Sequence, residues 1–373
     1  MNADELMTLT QYSLPQREKE RVLGERLNEL HVRHRAASDV YARVTDALFP
    51  GLTHARTISA LPWIPVGLFK SHRLISVPDE ELFKTLTSSG TSGDPVSRVY
   101  LDRATAQRQT EALASIMTTV LGRDRLPTLI VDWPGVIRDR TQFSARGAGI
   151  LGMMTFARQP RYLLDEEMRL DLPGLLDFLR QYGDSPFMVF GFTFMVWQHL
   201  LQQISGLGLD LSNGILIHSG GWKALQERAV DDQVFRSSFR EQTGLTRIHS
   251  FYGMVEQVGS VFLEGADGFL HPPNFADVIV RDPVTWQELA PGQVGVVQVL
   301  SMLPTSYPGH SILTEDLGVI QGIDDDPGGW LGKRFSLLGR VPRTQLRGCS
   351  DTYAASAENE MASGEDDDSR ANE

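Results

Sequence analysis

The sequence predicts an α/β protein with substantial parallel sheet, and two observations predict it. Short apolar strand patterns alternate with amphipathic helical patterns through the middle of the chain, as where Leu172–Tyr182 is followed by Phe187–Phe190. Two strands also run straight into glycine-bearing polar loops, His218-Ser219-Gly220-Gly221-Trp222-Lys223 and Phe251-Tyr252-Gly253-Met254-Val255-Glu256-Gln257. In open α/β sheets, ligands bind at such carboxyl ends of strands.

Taken in order, residues 4–48 read as two or three charge-rich helices with Leu23, Leu27, Leu30 and Val32 as packing positions. Leu61–Lys70 is extended, proline-broken and aromatic, and is expected to cross the surface of a core before a strand near Arg73–Val77. A loop of hydroxyls and glycines, Thr87–Pro95, comes next. A short strand, Val99–Leu101, leads into a helix capped by Asp102 and stopped by Gly122, with Leu113, Ile116, Met117, Val120 and Leu121 at helical spacing. Thr128–Asp132 reads as a buried strand, Ala148–Phe156 as a glycine-punctuated apolar segment and Leu172–Tyr182 as a helix. Phe187–Phe190 is a strand followed after Gly191 by a helix through Ile204. Gly214–His218 is a strand, 225–242 a helix and Arg247–Phe251 a strand. Strands near 276–281 and 294–300 look like an appended, smaller β region.

Composition bounds the function. The chain has 373 residues, 41% hydrophobic and 22% charged, enough for a large core. The longest apolar run, Pro186–Trp197, is too short to span a bilayer. The start, Met1-Asn2-Ala3-Asp4-Glu5, lacks the basic and apolar regions of a secretory signal, so the cytoplasm is the expected location. A single cysteine, Cys349, excludes an internal disulfide framework and a cysteine-rich zinc site. The net charge of −12 argues against a general nucleic-acid partner. Seven acids and one arginine between Glu358 and Glu373 place a charge of −6 in that stretch, which reads as a disordered tail.

Five motifs could carry chemistry. Ser88-Ser89-Gly90-Thr91-Ser92-Gly93-Asp94-Pro95 combines hydroxyls with glycines that let backbone approach a ligand, and suits anionic oxygens; an ordinary polar turn has the same composition. No Walker string exists in the chain. Ser219, Gly220 and Gly221 follow a strand end, as does Tyr252. Glu256 is an acid in an otherwise apolar stretch, and buried acids are seldom without a partner such as a metal. Asp316 lies in Leu313-Thr314-Glu315-Asp316-Leu317-Gly318, where an aspartate at a strand end could accept two ribose hydroxyls or simply form a turn. Gly339-Arg340 and Arg347-Gly348-Cys349 bracket a basic strand.

The order of these motifs resembles the adenylate-forming superfamily of acyl- and aryl-CoA ligases, peptide-synthetase adenylation domains and firefly luciferase. Leu61–Lys70, Ser88–Pro95, His218–Lys223 and Arg347–Thr352 look most like acyl-protein synthetases of the LuxE type. The resemblance covers roughly residues 60–353. It implies the large N-terminal domain of an adenylate-forming enzyme, with mixed and parallel sheets, over 1–338. A hinge-like remnant with Cys349 follows over 339–353, and an acidic tail over 354–373.

The implied reaction is attack of a carboxylate, expected to be a fatty acid, on the α-phosphate of ATP, then acyl transfer to a thiol. Ser88, Ser89, Gly90, Thr91, Ser92 and Gly93 would hold the leaving phosphates. Ser219, Gly220, Gly221 and Tyr252 would flank adenine, Glu256 would hold Mg²⁺, and Asp316 with Arg340 would take the ribose. Phe187–Trp197 and Trp222 could wall an acyl pocket or simply pack the core. Two departures stand out. The lysine common after the phosphate-loop proline has only Arg98 near its place, and the small C-terminal lid with its catalytic lysine is expected to be absent. The acyl-protein synthetases instead pass the acyl group to a cysteine of their own; Cys349, beside Arg347, would have a lowered pKa. The implied partner is an acyl-reductase or acyl-carrier protein. A shortened CoA ligase and a non-catalytic nucleotide-binding module remain the alternatives.

Overall fold

Three helices open the chain, Ala3–Thr8, Gln16–Ala37 and Asp39–Leu48. The computed structural model describes residues 1–88, 96–137, 145–220 and 230–341. Leu23, Leu27 and Leu30 are buried as expected, whereas Val32 is 58% exposed. Two helical positions past Leu30 is about 200° around the axis, so Val32 faces away, and His31 and His34 complete the inward face.

The strands, in chain order, are β1 (Ile64–Pro65), β2 (Leu82–Thr87), β3 (Arg98–Asp102), β4 (Leu126–Ile130), β5 (Ala157–Tyr162), β6 (Phe187–Phe192), β7 (Gly214–Ser219), β8 (Arg247–Tyr252), β9 (Phe262–Glu264), β10 (Leu270–His271), β11 (Ala276–Arg281), β12 (Val294–Ser301), β13 (Ser311–Ile323) and β14 (Lys333–Arg340). Among the described residues β2 and β3 form a hairpin, and the other twelve strands form one sheet. Its order is β11-β12-β13-β14-β10-β9-β8-β7-β6-β4-β5, with β1 added beside β13. Strands β5, β4, β6, β7 and β8 are parallel. From β8 to β9 the direction reverses, and the rest of the main path is antiparallel. The final third is therefore not an appended region. Phe251↔Leu263 and Tyr252↔Phe262 pairing joins it directly to the parallel half.

Period-two alternation splits the core between the sheet's two faces. Met188, Phe190, Ile215 and Ile217 pack with Ile116 and Met117 of helix Arg103–Leu121. Val189, Leu216 and Phe187 pack with Phe178 of helix Leu172–Tyr182 and Phe239 of helix Asp232–Thr243. Helix Arg103–Leu121 starts where Asp102 accepts the Thr105 amide at 2.7 Å and ends at Gly122, φ 79°. The helix expected over 225–242 begins instead at Asp232, because Asp231 caps it by accepting the Val234 amide. Residues 221–229 lie outside the described residues.

Two expectations for 61–77 fail. Leu61, Ile64 and Phe69 are fully buried rather than on the surface. Burial contributes about 1.5–3 kcal/mol for each such side chain, enough to draw a proline-broken segment inside. There Ile64 pairs in parallel with Ile312 of β13. Arg73–Val77 forms no strand: Leu74 and Ser76 alternate inward, but the backbone is tied through the Ser76 amide to Ser306 O at 2.8 Å, just before Pro78. No helix among the described residues is long and apolar enough to cross a membrane.

Candidate active site

The parallel strands β6, β7 and β8 end side by side, since Phe192 pairs with Ser219 and Ser219 with Phe251. At this edge β7 leaves the sheet through Gly220, whose φ of +81° is a left-handed conformation that a side chain would strain. A Cβ there would also lie 3.1 Å from the Phe192 ring. Ser219 Oγ donates to Phe251 O at 3.1 Å, tying the two strand ends together. From the next strand end Thr193 donates to Gly220 O at 2.6 Å and lies 3.0 Å from His218 Nδ1. Burial lowers the His218 pKa to about 3, so this ring is neutral. Thr193 escaped the sequence reading; its one signal is a hydroxyl directly after the strand end Gly191-Phe192.

Tyr252 ends β8 with its ring stacked on Phe262, centroids 5.9 Å apart. Its hydroxyl donates to Asp316 Oδ2 at 2.6 Å, and Arg340 Nε lies 3.6 Å from Asp316 Oδ1. Burial raises the tyrosine's pKa, with the Asp316 charge adding to it, so the phenol stays a donor. Asp316 was expected at a strand end but lies inside β13, opposite Arg340 of β14. A register shift between Leu317 and Gly318 interrupts the ladder beside it. Gly318 is needed there, because a Cβ would meet Val297 at 2.6 Å. The structure thus brings Ser219, Gly220, Tyr252, Asp316 and Arg340 to one region.

Glu256 follows on a single 3₁₀ turn, Val255–Gln257, and is buried. Among the described residues no lysine, arginine or histidine pairs with its carboxylate. Gln257 anchors the turn by donating to Gly309 O at 2.9 Å and Val299 O at 3.3 Å. Two glycines permit the close packing around it: a Cβ on Gly309 would fall 2.7 Å from Glu256 O, and one on Gly259 2.8 Å from Gln109 Cα. Tyr307 is fully buried beside this turn, and the Glu256 charge adds to burial in raising its pKa. Neither Tyr307 nor Gln109 stood out in the sequence.

The hydroxyl loop leaves the sheet-side hairpin β2–β3 at a closed neck, where the Ser88 amide donates to Ser97 O at 3.1 Å and the Ser97 amide to Ser88 Oγ at 2.9 Å. Ser89, Gly90, Thr91, Ser92, Gly93, Asp94 and Pro95 lie outside the described residues, as do Gly221–Lys223, Arg347, Cys349 and the acidic tail. Of the segment suggested as an acyl wall, Phe187–Phe190 are core strand positions. Phe192, half-buried, stands between Gly220 and Gly149 of helix Ala145–Met153, where a Cβ would lie 3.4 Å from the ring. Asp132, just past β4 and missed as a site residue, pairs with Arg146 at 2.9 Å and holds that helix over the strand end.

A sheet of this order, with polar and aromatic groups gathered at the β7 and β8 ends, is the architecture of the adenylate-forming ligases. Solved structures of a 2-hydroxyisobutyryl-CoA ligase share it. The open conformation with 2-HIB-AMP and CoA superposes with a TM-score of 0.63 at 17% identity, covering 93% of this chain and 81% of that one. The postadenylation state with 2-HIB-AMP gives 0.62 at 18%, covering 88% and 69%. The chain belongs to the LuxE acyl-protein synthetase family, whose model matches residues 3–357. It is 23% identical over 317 residues to the long-chain-fatty-acid–luciferin-component ligase of Aliivibrio fischeri, covering 80% of this chain and 79% of the relative. The Vibrio harveyi counterpart is 24% identical over 306 residues, covering 79% and 77%. The protein is a ligase that activates a carboxylic acid with ATP.

Proposed function

We propose that the acid is a long-chain fatty acid, as the relatives' names suggest, and that the acyl group passes from AMP to a protein thiol. The observation that supports the site assignment is the Tyr252–Asp316–Arg340 set beside Ser219 and Gly220. In the first step a carboxylate oxygen bonds to the α-phosphorus as the bond to pyrophosphate breaks, leaving acyl-adenylate. In the second a thiolate bonds to the acyl carbon and AMP leaves.

Asp316, oriented by the Tyr252 hydroxyl, takes the ribose hydroxyls, and the exposed Arg340 guanidinium partners it. Gly220 and the Ser219 backbone form one wall for adenine and the Tyr252 ring the other. In this reading Ser88, Ser89, Gly90, Thr91, Ser92 and Gly93 hold the leaving phosphates. The buried carboxylate of Glu256, with no cation paired to it among the described residues, fits a divalent ion, and Mg²⁺ held there would supply charge neutralisation for the departing pyrophosphate. Phe192, between two glycines, flanks the acyl chain.

Cys349 is the acceptor in this reading, acting over a hinge-like 339–353 segment before an acidic tail at 354–373. The acyl group then goes to a reductase or carrier partner, with the reaction in the cytoplasm where ATP is available. Incubating the full chain with ATP, Mg²⁺ and radiolabelled fatty acid, without CoA, tests this. A hydroxylamine-labile acyl-protein that disappears in Cys349→Ser is expected, while that variant keeps adenylate formation. Unchanged labelling in Cys349→Ser would move the acceptor elsewhere, and no labelling without CoA would favour a CoA ligase.

A further inference from the structure

Away from the β7–β8 edge, the β9–β10 turn and the β13–β14 turn meet under the N-terminal segment. Asp267, His271 and Asp326 converge there, each with one ligand atom, all within 4.8 Å of one another. The Asp267 and His271 side chains are 5% and 1% exposed. His271 Nε2 lies 3.2 Å from Asp267 Oδ1. Yet Asp267 Oδ2 and His271 Nδ1 are both buried with no hydrogen-bond partner. A buried polar atom left without a hydrogen bond is destabilising; Asp267 Oδ2 has only an Arg334 ion pair at 3.5 Å and His271 Nδ1 has no hydrogen bond, so the cluster has capacity for a ligand.

The surroundings are preset. Asp326 accepts the Gly328 amide on Oδ1 and the Trp330 amide on Oδ2, both at 3.0 Å, which orients the carboxylate while leaving it partly exposed. Trp330 stacks on Tyr12 at 4.0 Å, and His271 meets Trp330 edge-on at 5.1 Å, so aromatic rings close one side against water. The neighbouring cations are already engaged. Arg334 approaches Asp267 Oδ2 at 3.5 Å but holds Asp325 through Nε at 2.8 Å. Lys19 donates to Pro272 O at 3.0 Å and pairs with Asp277.

We propose that Asp267, His271 and Asp326 form a binding site for a divalent transition-metal ion, Zn²⁺ by its ligand chemistry. One imidazole with two carboxylates suits Zn²⁺, whereas Mg²⁺ and Ca²⁺ favour oxygen-only sets. Two carboxylates also balance the ion's charge. Zn–ligand bonds of about 2.0–2.2 Å require the three ligand atoms to close by roughly 1 Å, which the partly exposed Asp326 can supply. Arg334 then keeps Asp325 alone. The ion's role is structural: β10 bonds to both β9 and β14, and β9 to β8, so a bridge between the two turns pins the strands next to Tyr252. No residue is shared with the ATP site, so the proposal stands apart from the adenylation reading.

The test is titration of EDTA-treated full-length protein with Zn²⁺, read by calorimetry and melting temperature, with Co²⁺ absorption as a second probe. One ion per chain is expected, with melting raised on the order of 3 °C at a hundredfold excess over Kd. Asp326→Asn should lose that binding and shift while keeping acid-dependent pyrophosphate exchange, and His271→Gln should behave alike. If His271→Gln does not fold, Asp326→Asn decides alone. Absence of one-to-one binding, or binding unchanged in Asp326→Asn, overturns the proposal.

Discussion

The Tyr252 hydroxyl donates a 2.6 Å hydrogen bond to Asp316 Oδ2, linking the last parallel strand to the centre of the antiparallel half across 64 residues of sequence. Each group serves the other. Burial, and then the carboxylate's charge, keep the phenol protonated, and the phenol orients one carboxylate oxygen while the other faces Arg340.

Removing the two ends of this bond should therefore have unequal effects. Tyr252→Phe loses one hydrogen bond to a charged acceptor and should lower kcat/KM for ATP about tenfold. Asp316→Asn also removes the group assigned to the ribose and should lower it on the order of 10²-fold. Initial-rate kinetics at varied ATP check the ranking; equal, near-normal values would remove both from the site.

Glu256→Gln keeps the shape of the buried turn and removes its charge. Acid-dependent pyrophosphate exchange should fall on the order of 10²-fold, and the Mg²⁺ concentration for half-maximal rate should rise. Thr91→Ala should slow the same exchange by a similar factor if its hydroxyl meets the leaving phosphates. An unaltered Mg²⁺ requirement in Glu256→Gln would place the ion elsewhere.

Gly220→Ala tests the turn that opens the β7 edge. At φ +81° an alanine is strained by roughly 1–2 kcal/mol, and its Cβ presses on Phe192. Melting temperature should fall by a few degrees and KM for ATP should rise. Alanine tolerated in both measurements would mean that neither the conformation nor the Phe192 contact matters.

Stability should fall in mild acid because several buried histidines are held neutral. Burial lowers His34 and His218 to about 3, and lowers His310 and His31 as well. The unfolded chain binds these protons below the usual value of 6.5 while the native state does not, so stability is full above that pH and declines as pH falls toward 3. His34 and His218, with folded values of about 3, each contribute up to about 1.4 kcal/mol per pH unit within that window. Glu264, raised to about 7 by burial, acts oppositely between its usual 4.5 and 7, and burial raises Asp132 as well, but the lowered histidines outnumber these two acids. Urea midpoints at pH 7, 6 and 5 should fall steadily; a flat series would contradict neutral burial.

Local chemistry was legible in the sequence. Helix Leu172–Tyr182 matches its expected bounds because Asp171 caps it, accepting the Gly174 amide, and Pro173 suits its first turn. The β11 pattern, Ala276–Arg281, matches as well. Ser219, Gly220, Tyr252, Asp316 and Arg340 were each named from motif order, and they do meet. What sequence hid is pairing and register. β1 pairs with β13 from the opposite end of the chain, whereas the union of the last third with the parallel sheet and the bulge beside Asp316 depend on how nearby strands reverse and shift, which no periodicity announces. Thr193 and Tyr307 acquire meaning only from neighbours that no local pattern announces.

The central claim, acid activation at the β7–β8 edge, is tested most directly by ATP–pyrophosphate exchange over a panel of carboxylic acids. The account predicts exchange that requires acid, is strongest with long aliphatic chains, proceeds without any thiol and falls on the order of 10²-fold in Asp316→Asn. Exchange absent with every acid, or unchanged in Asp316→Asn, would contradict it.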